Sequence, residues 1–320
     1  MSSAGLKNLG NTCYLNSIIQ CLRHCRPLTK DILEAFVRIN KNDNRIMIFI
    51  QYQILLSLFK KKNIRSITPS MFVSTLHAYF QKKQNYGLLS VHDQNDAHEF
   101  LIFLLDVIHQ VLRKKVKISI SGSIKNGYDK NIKLSMENYK KFYSSDYSII
   151  VKYFSGQYQS IVHKINENSI SPTFDPYNCI ELSIPGNQNN ISLYDCLFHF
   201  INPEKIGNNI YKSIHFWNLP SFLIIVLKRF DCNGKKNNSN IKIPSLLNLH
   251  QYCKGPSQSN CIYSLISVCN HIGSMNSGHY FSYCKKNRDW YEYNDLLVRK
   301  IPENKVSTPF AYCLFYEKQP

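Results

Sequence analysis

The chain has 320 residues, and its 39 Lys and Arg against 21 Asp and Glu give a formal net charge of +18. That length suits one large core or two lobes. The longest apolar run, Phe222 to Leu227, is far too short to span a bilayer, and no signal peptide opens the sequence, which argues against membrane insertion. The 11 cysteines are odd in number and lack the spacing of a disulfide scaffold. Free thiols in a reducing compartment, cytoplasm or nucleus, are expected. The positive charges are scattered among Asn and Ile, and runs such as Lys60-Lys61-Lys62 are short. A generic basic surface fits this pattern better than a nucleic-acid site.

Near the start the chain reads Gly5-Leu-Lys-Asn8-Leu-Gly-Asn11-Thr12-Cys13-Tyr-Leu-Asn16-Ser17. Leu15, Ile18, Ile19 and Leu22 recur at helical spacing, and Pro27 ends the pattern. Asn11 or Thr12 is suited to cap this helix, which puts Cys13 in its first turn, where the partial positive charge favours a thiolate. A small buried cysteine is the bland alternative. The glycines at 5 and 10 and the polar Asn8 instead suggest a tight turn around the sulfur. Asn8 is placed to donate an amide N–H to a developing oxyanion.

Residues 1 to about 110 are helical in pattern, with Ala97, Phe100, Leu101, Leu104, Leu105 and Ile108 marking the clearest amphipathic helix. Asp96 and Glu99 are read as lying on the opposite face of that helix, three residues apart. Both also suit a helix start, where acids favour the dipole and Asp93 with Asp96 has capping-box spacing. Ser119 to Ser135 is polar and low in complexity, so a loop insertion is expected there. From about 150 onward short strands dominate. Helices first and strands later predict an α+β protein of two lobes.

The second dense segment reads Ser277-Gly278-His279-Tyr280-Phe281-Ser282-Tyr283, followed by Trp290-Tyr-Glu-Tyr-Asn294-Asp295. Asn287-Arg288-Asp289 is turn material, so the two runs predict a hairpin. Folding back there brings Asn294 opposite His279 or within about two residues of it. Asn294 then accepts from the imidazole and orients it. Gly278 leaves room for a substrate backbone, and Tyr280 flanks the histidine as a second candidate contact. A thiol, a base and an orienting group in the order Cys, His, Asn point to nucleophilic catalysis by a cysteine protease.

The two segments resemble the Cys and His boxes of the ubiquitin-specific proteases, a family of papain-like deubiquitinases. Gln94-Asn-Asp96-Ala97-His98-Glu99-Phe100-Leu101, Phe154-Ser-Gly156-Gln157, Leu219-Pro220 through Leu227-Lys228-Arg229-Phe230, and Ala311-Tyr312-Cys313-Leu314-Phe315-Tyr316 resemble further motifs of the same family in the same order. The resemblance covers nearly the whole chain. It implies a single catalytic domain over 1–320, with a helical thumb at about 1–115, fingers within 150–215 and a β-rich palm at 216–320. It implies Cys13 as nucleophile, His279 as general base, Asn294 as the orienting group, Asp295 as its supporting acid and Asn8 as oxyanion donor. Asp96 and Glu99 would face the two arginines of ubiquitin's C-terminal tail.

Many members bind structural zinc in the fingers through two CxxC pairs, but this chain has no CxxC. Where the first pair would fall stands Ile161-Val162-His163-Lys164, and His163 and Cys179 are too isolated to complete a site. Shortened fingers without metal and a reaction without a cofactor are therefore expected. The implied activity is thiol-dependent hydrolysis after the C-terminal glycine of ubiquitin, by a monomer acting on ubiquitin and ubiquitinated proteins. Two alternatives stand beside it: a ubiquitin-binding scaffold with little turnover, and a protease for another ubiquitin-like modifier.

Overall fold

The computed structural model describes residues 2–37, 43–82, 93–164, 169–186, 191–275 and 277–320. Its contacts divide the chain into two compact units, each assembled from distant stretches of sequence. The first comprises residues 1–112, 229–240 and 266–315. The second comprises 113–228, 241–265 and 316–320. This division differs from the chain-order segmentation expected from the sequence, because the N-terminal helices pack with C-terminal strands rather than forming a body of their own.

In the first unit, helices span Cys13–His24, Arg26–Glu34, Arg45–Leu58, Ser70–Lys82 and Ala97–Leu112. The Cys13–His24 helix is buried along its whole length, its polar Asn16, Ser17, Gln20, Arg23 and His24 included. Tyr14 meets Phe100 of the Ala97–Leu112 helix edge-on, ring centroids 5.4 Å apart. Beside these helices runs an antiparallel meander whose strands Gly278–Lys286, Asp289–Asn294 and Leu297–Ile301 pair in sequence. The predicted hairpin is present, with Lys286 opposite Asp289. Its turn is two residues long, and Asn287 adopts the left-handed conformation (φ 58°) that asparagine tolerates.

In the second unit, four antiparallel strands lie in the order Ser169–Tyr177, Gly156–Lys164, Ile210–Asn218, Glu204–Gly207. The stretch Ile161–Lys164 is ordinary strand in this sheet. Among the described residues no group of three or more His, Cys, Asp or Glu is placed to hold a metal ion. Also among the described residues, no helix is long and apolar enough to cross a membrane.

The loop expected over 119–135 is replaced from Gly127 by a helix running to Tyr143. Its start was hidden in a low-complexity stretch. Asn126 is the N-cap, its side-chain oxygen accepting from Asp129 N at 2.9 Å, while the Asp129 carboxylate accepts from Lys125 N at 2.9 Å. Packing holds the helix in place. Tyr128 lies against Trp217 at 5.6 Å, and Gln157 Nε2 donates to Ser135 O at 3.0 Å. Asn126→Ala should therefore lower unfolding stability by about 1 kcal/mol. Urea denaturation measures this, and an unchanged midpoint would show that packing alone sets the helix start.

Candidate active site

Every residue of the candidate site lies in the first unit. Cys13 is the first residue of its helix and is buried, at 5 % exposure. The cap differs from the sequence expectation. Thr12 occupies the cap position, but its side chain makes no capping bond. Its hydroxyl instead accepts from Leu9 N (2.9 Å) and donates to Asn8 Oδ1 (3.1 Å). Asn8 Oδ1 also accepts from Gly10 N and Thr12 N, each at 3.1 Å. The turn ahead of Cys13 is thus wound around one side-chain oxygen. Left-handed residues Gly10 (φ 96°) and Asn11 (φ 52°) make this winding possible.

His279 lies at the start of its strand, and its Nε2 donates to Asn294 Oδ1 at 2.7 Å. The hairpin register, with Ser282 opposite Tyr293, continues to place Asn294 opposite Phe281. Asn294 is therefore diagonal to His279 on the same sheet face. With Nε2 committed to Asn294, Nδ1 is the nitrogen left to face the Cys13 sulfur. His279 is pushed up to about 9, chiefly by its hydrogen bond with Cys13, against the opposing effect of burial and with help from Asn294. This shift favours the protonated ring, which suits a proton donor to a leaving group.

Asp295 follows in a two-residue turn with left-handed backbone (φ 49°). Its carboxylate accepts from Asn8 Nδ2 (3.0 Å) and from Asn16 Nδ2 (2.8 Å). Its carbonyl accepts from Leu6 N at 2.9 Å. Gly5 is required by the same contact, since a Cβ there would stand 2.5 Å from the Asp295 carbonyl oxygen. The sequence reading gave Asn16 no role; its signal is an amide three residues past the cysteine on the same helix. Asn8 retains one amide N–H beyond its bond to Asp295.

The substrate-contact candidates fare differently. Asp96 does not lie on the helix face but just ahead of it. Its Oδ1 accepts from His98 N (2.6 Å) and Glu99 N (3.1 Å), and its Oδ2 accepts from the Tyr312 hydroxyl (2.7 Å). The orphan N–H groups of the helix start take one oxygen and a phenol takes the other. Tyr280 is buried against His271, ring centroids 4.5 Å apart, and its phenol takes a backbone hydrogen bond from Ala97. It supports the helix start and does not face solvent. Gly278 needs its small size for internal reasons: a Cβ there would stand 2.3 Å from His271 Nε2 and 2.5 Å from Ile272 O. Glu99 is exposed, and burial and then the neighbouring Asp96 carboxylate raise its pKa. Gln94, part of a quoted motif but given no role there, accepts from Gly278 N at 2.6 Å.

The sequence model of a family described as Ubiquitin carboxyl-terminal hydrolase matches residues 4–316. The chain is 31 % identical over 337 residues to Ubiquitin carboxyl-terminal hydrolase Usp2 of Drosophila melanogaster, covering 98 % of this chain and 34 % of that protein. It is 30 % identical over 331 residues to Ubiquitin carboxyl-terminal hydrolase 17-like protein 20 of Homo sapiens, covering 98 % of this chain and 55 % of the relative. The chain thus spans between a third and just over half of the length of these relatives. Among solved structures it is similar to the SAGA DUB module of a Ubp8 variant with Sgf11, Sus1 and Sgf73 bound to monoubiquitin. That likeness has a TM-score of 0.75 at 26 % identity, covering 100 % of this chain and 71 % of the other. The same module bound to ubiquitin aldehyde gives a TM-score of 0.74 at 25 % identity, covering 99 % and 70 %.

The raised His279 carries a sign. A histidine whose folded pKa exceeds its unfolded value of about 6.5 contributes stability that is full below 6.5 and lost as pH rises through about 9. An NMR titration of the ring should give a midpoint near 9, and Cys13→Ala should move it down by removing the largest cause. A midpoint unmoved by that substitution would mean that the thiol and imidazole are not paired.

Proposed function

The chain belongs to the ubiquitin carboxyl-terminal hydrolase family, and from that premise we propose that it is a cysteine-type deubiquitinase. Its reaction is hydrolysis of the isopeptide or peptide bond after the C-terminal glycine of ubiquitin. The observation that carries this reading is one imidazole held between Asn294 Oδ1 at 2.7 Å and the Cys13 thiol. The similar structures were solved with ubiquitin or ubiquitin aldehyde bound, which supports ubiquitin as the substrate. They were solved within a module with Sgf11, Sus1 and Sgf73, so action as a monomer is a separate proposal, tested by light scattering.

In the proposed mechanism the Cys13 thiolate attacks the glycine carbonyl carbon, and the carbonyl oxygen becomes an oxyanion. The free amide N–H of Asn8 and backbone N–H groups of the Cys13 turn stabilise it. His279, protonated, gives its proton to the leaving amine as the C–N bond breaks, leaving a thioester on Cys13. The neutral imidazole then takes a proton from water, the hydroxide attacks the thioester, and the thiolate departs. Asn294 holds the ring in the tautomer that presents Nδ1 to sulfur, and Asp295 positions Asn8. Glu99, exposed near the first turn of its helix, is the proposed partner for the arginines of the ubiquitin tail. Asp96 acts at that point through the helix it caps.

Hydrolysis of a fluorogenic C-terminal ubiquitin amide, run beside the same reporter on other ubiquitin-like modifiers, tests the reading. Wild type should cleave the ubiquitin reporter and Cys13→Ser should not, while binding ubiquitin with near wild-type affinity. Cleavage confined to another modifier would replace the substrate, and ubiquitin binding without cleavage by wild type would make the protein a scaffold. Glu99→Gln should raise KM severalfold and weaken its salt dependence with kcat nearly unchanged, as removal of one partly exposed charge pair predicts.

A further inference from the structure

Two short basic stretches have no part in the proposed mechanism. One is Arg23-His24-Cys25-Arg26, where the helix bearing Cys13 ends, and the other is Lys285-Lys286-Asn287-Arg288, at the turn of the hairpin bearing His279. The fold brings them together. Arg23, His24, Arg26, Lys286 and Asn287 line one surface cavity of about 350 Å³. Pockets that take small ligands span about 300–1,000 Å³, so this one is large enough. All five residues belong to the first unit. His24 is about 16 Å from Cys13 by helical rise, well away from the reacting groups.

Each basic side chain on this cavity is held by neutral groups. Arg23 is 3 % exposed, and its guanidinium lies 4.4 Å from the Phe59 ring centre and 5.0 Å from that of Tyr293. Its Nε donates to Gln20 Oε1 at 2.5 Å and its Nη1 to Ser2 O at 3.4 Å. Its buried Nη2 makes no hydrogen bond, and neither does the buried Tyr293 hydroxyl. His24 Nδ1 donates to Gln20 O at 2.7 Å, and its ring packs on Tyr293 at 5.5 Å. Arg26 Nη2 donates to Asn287 Oδ1 at 3.2 Å, and Lys286 Nζ donates to Ser3 Oγ at 2.9 Å. No carboxylate lines the cavity. Among the described residues none of the four basic side chains is in an ion pair. Asp289, opposite Lys286 across the hairpin, is taken by Lys300 at 2.8 Å.

The bland account is that a strongly basic chain places solvated cations everywhere on its surface. Arg23 departs from it, because a buried charge without a counter-charge is costly. The helix that ends at His24 brings its negative end here, which opposes an anion, but a second helix, Arg26–Glu34, begins at the same point with its positive end. An anion in the cavity would supply the missing charge. The donor set selects the phosphate class, since guanidinium forks match phosphate oxygens two at a time and an ammonium adds a point charge. No aromatic or aliphatic residue lines the cavity to hold an apolar body. We propose that this cavity binds a small phosphate-bearing anion, of the size of a diphosphate, which ties the end of the Cys13 helix to the turn of the His279 hairpin. Arg23, Arg26 and Lys286 are its charged donors, and His24 adds a ring N–H when protonated.

Isothermal titration with inorganic pyrophosphate at low, fixed ionic strength tests this without ubiquitin, so the result is independent of the deubiquitinase reading. Saturable one-to-one binding is expected. Orthophosphate, which meets fewer of the four groups at once, should bind about tenfold more weakly, and equal affinity for the two ions would overturn their convergence on one ligand. Arg26→Gln and Lys286→Gln are the variants of choice, because neither residue is buried as Arg23 is. Each should weaken pyrophosphate about tenfold. Lys140→Gln combined with Lys141→Gln, two exposed lysines of the second unit, should leave its affinity unchanged. Equal losses in the two sets would mean a generic basic surface, and either that or an absence of saturable binding overturns the proposal. NMR of the histidine rings locates the ion. Pyrophosphate should shift His24, and a shift of His279 with His24 unmoved would put the anion at the active site and overturn the assignment to this cavity.

Discussion

Asp295 stands in a two-residue turn with left-handed backbone, and three separate stretches of the chain meet on it. Its carboxylate takes the amides of Asn8 and Asn16, and its carbonyl takes the N–H of Leu6. Gly5 has no side chain because that carbonyl occupies the space. One residue thus fixes the turn before Cys13, the first helical turn after it and the end of the strand bearing Asn294. The next residue back, Asn294, holds the His279 ring. Cys13 and His279 are far apart in sequence, and this contact brings them together. It is a charge-assisted arrangement among part-buried groups, where hydrogen bonds to a carboxylate are about twice as strong as neutral ones.

The local electrostatics are set by few groups. The chain is strongly basic overall, yet the charge that matters to His279 comes from the adjacent thiol and, more weakly, from Asp295. Asn294 contributes a fixed dipole and no competing negative charge. A second network, from Tyr312 through Asp96 to the start of the Ala97–Leu112 helix, fixes the position of Gln94 ahead of that helix. Gln94 in turn holds the N–H of Gly278, the residue before His279. His279 is therefore braced from both sides, by Asn294 on its ring and by Gln94 on the backbone of the residue before it.

Much of the site was legible in the sequence because its chemistry demands particular residue types. A thiol at a helix start, a histidine at a strand start and an amide one hairpin away follow from periodicity and turn residues, and the family resemblance agreed with them. What the sequence concealed depends on tertiary contact. Asp96 read as a helix-face residue because a boundary misplaced by one position converts a cap into a surface carboxylate. Gly278 and Tyr280 also pack against His271, a contact that nothing local in the sequence announces. The Gly127–Tyr143 helix was missed because its inner face carries polar and aromatic residues in place of a clear apolar stripe. The interleaving of residues 1–112 with 266–315 in one compact unit leaves no mark on either segment alone.

The account rests on the Asp295 turn acting as a single positioning unit, and a double-mutant cycle addresses that directly. Asn16→Ala and Asp295→Ala, singly and together, are compared by kcat/KM on a ubiquitin reporter, with Asn16 chosen because its amide bonds Asp295 and the Leu6 carbonyl and not the reacting atoms. Asn16→Ala is expected to lower kcat/KM by about tenfold and Asp295→Ala, which also releases Asn8, by at least as much; the double variant is expected to fall little below Asp295→Ala, since that change already removes the Asn16 bond. Effects that multiply, to about a hundredfold in the double variant, would show that the two residues act independently and that the turn does not organise the site.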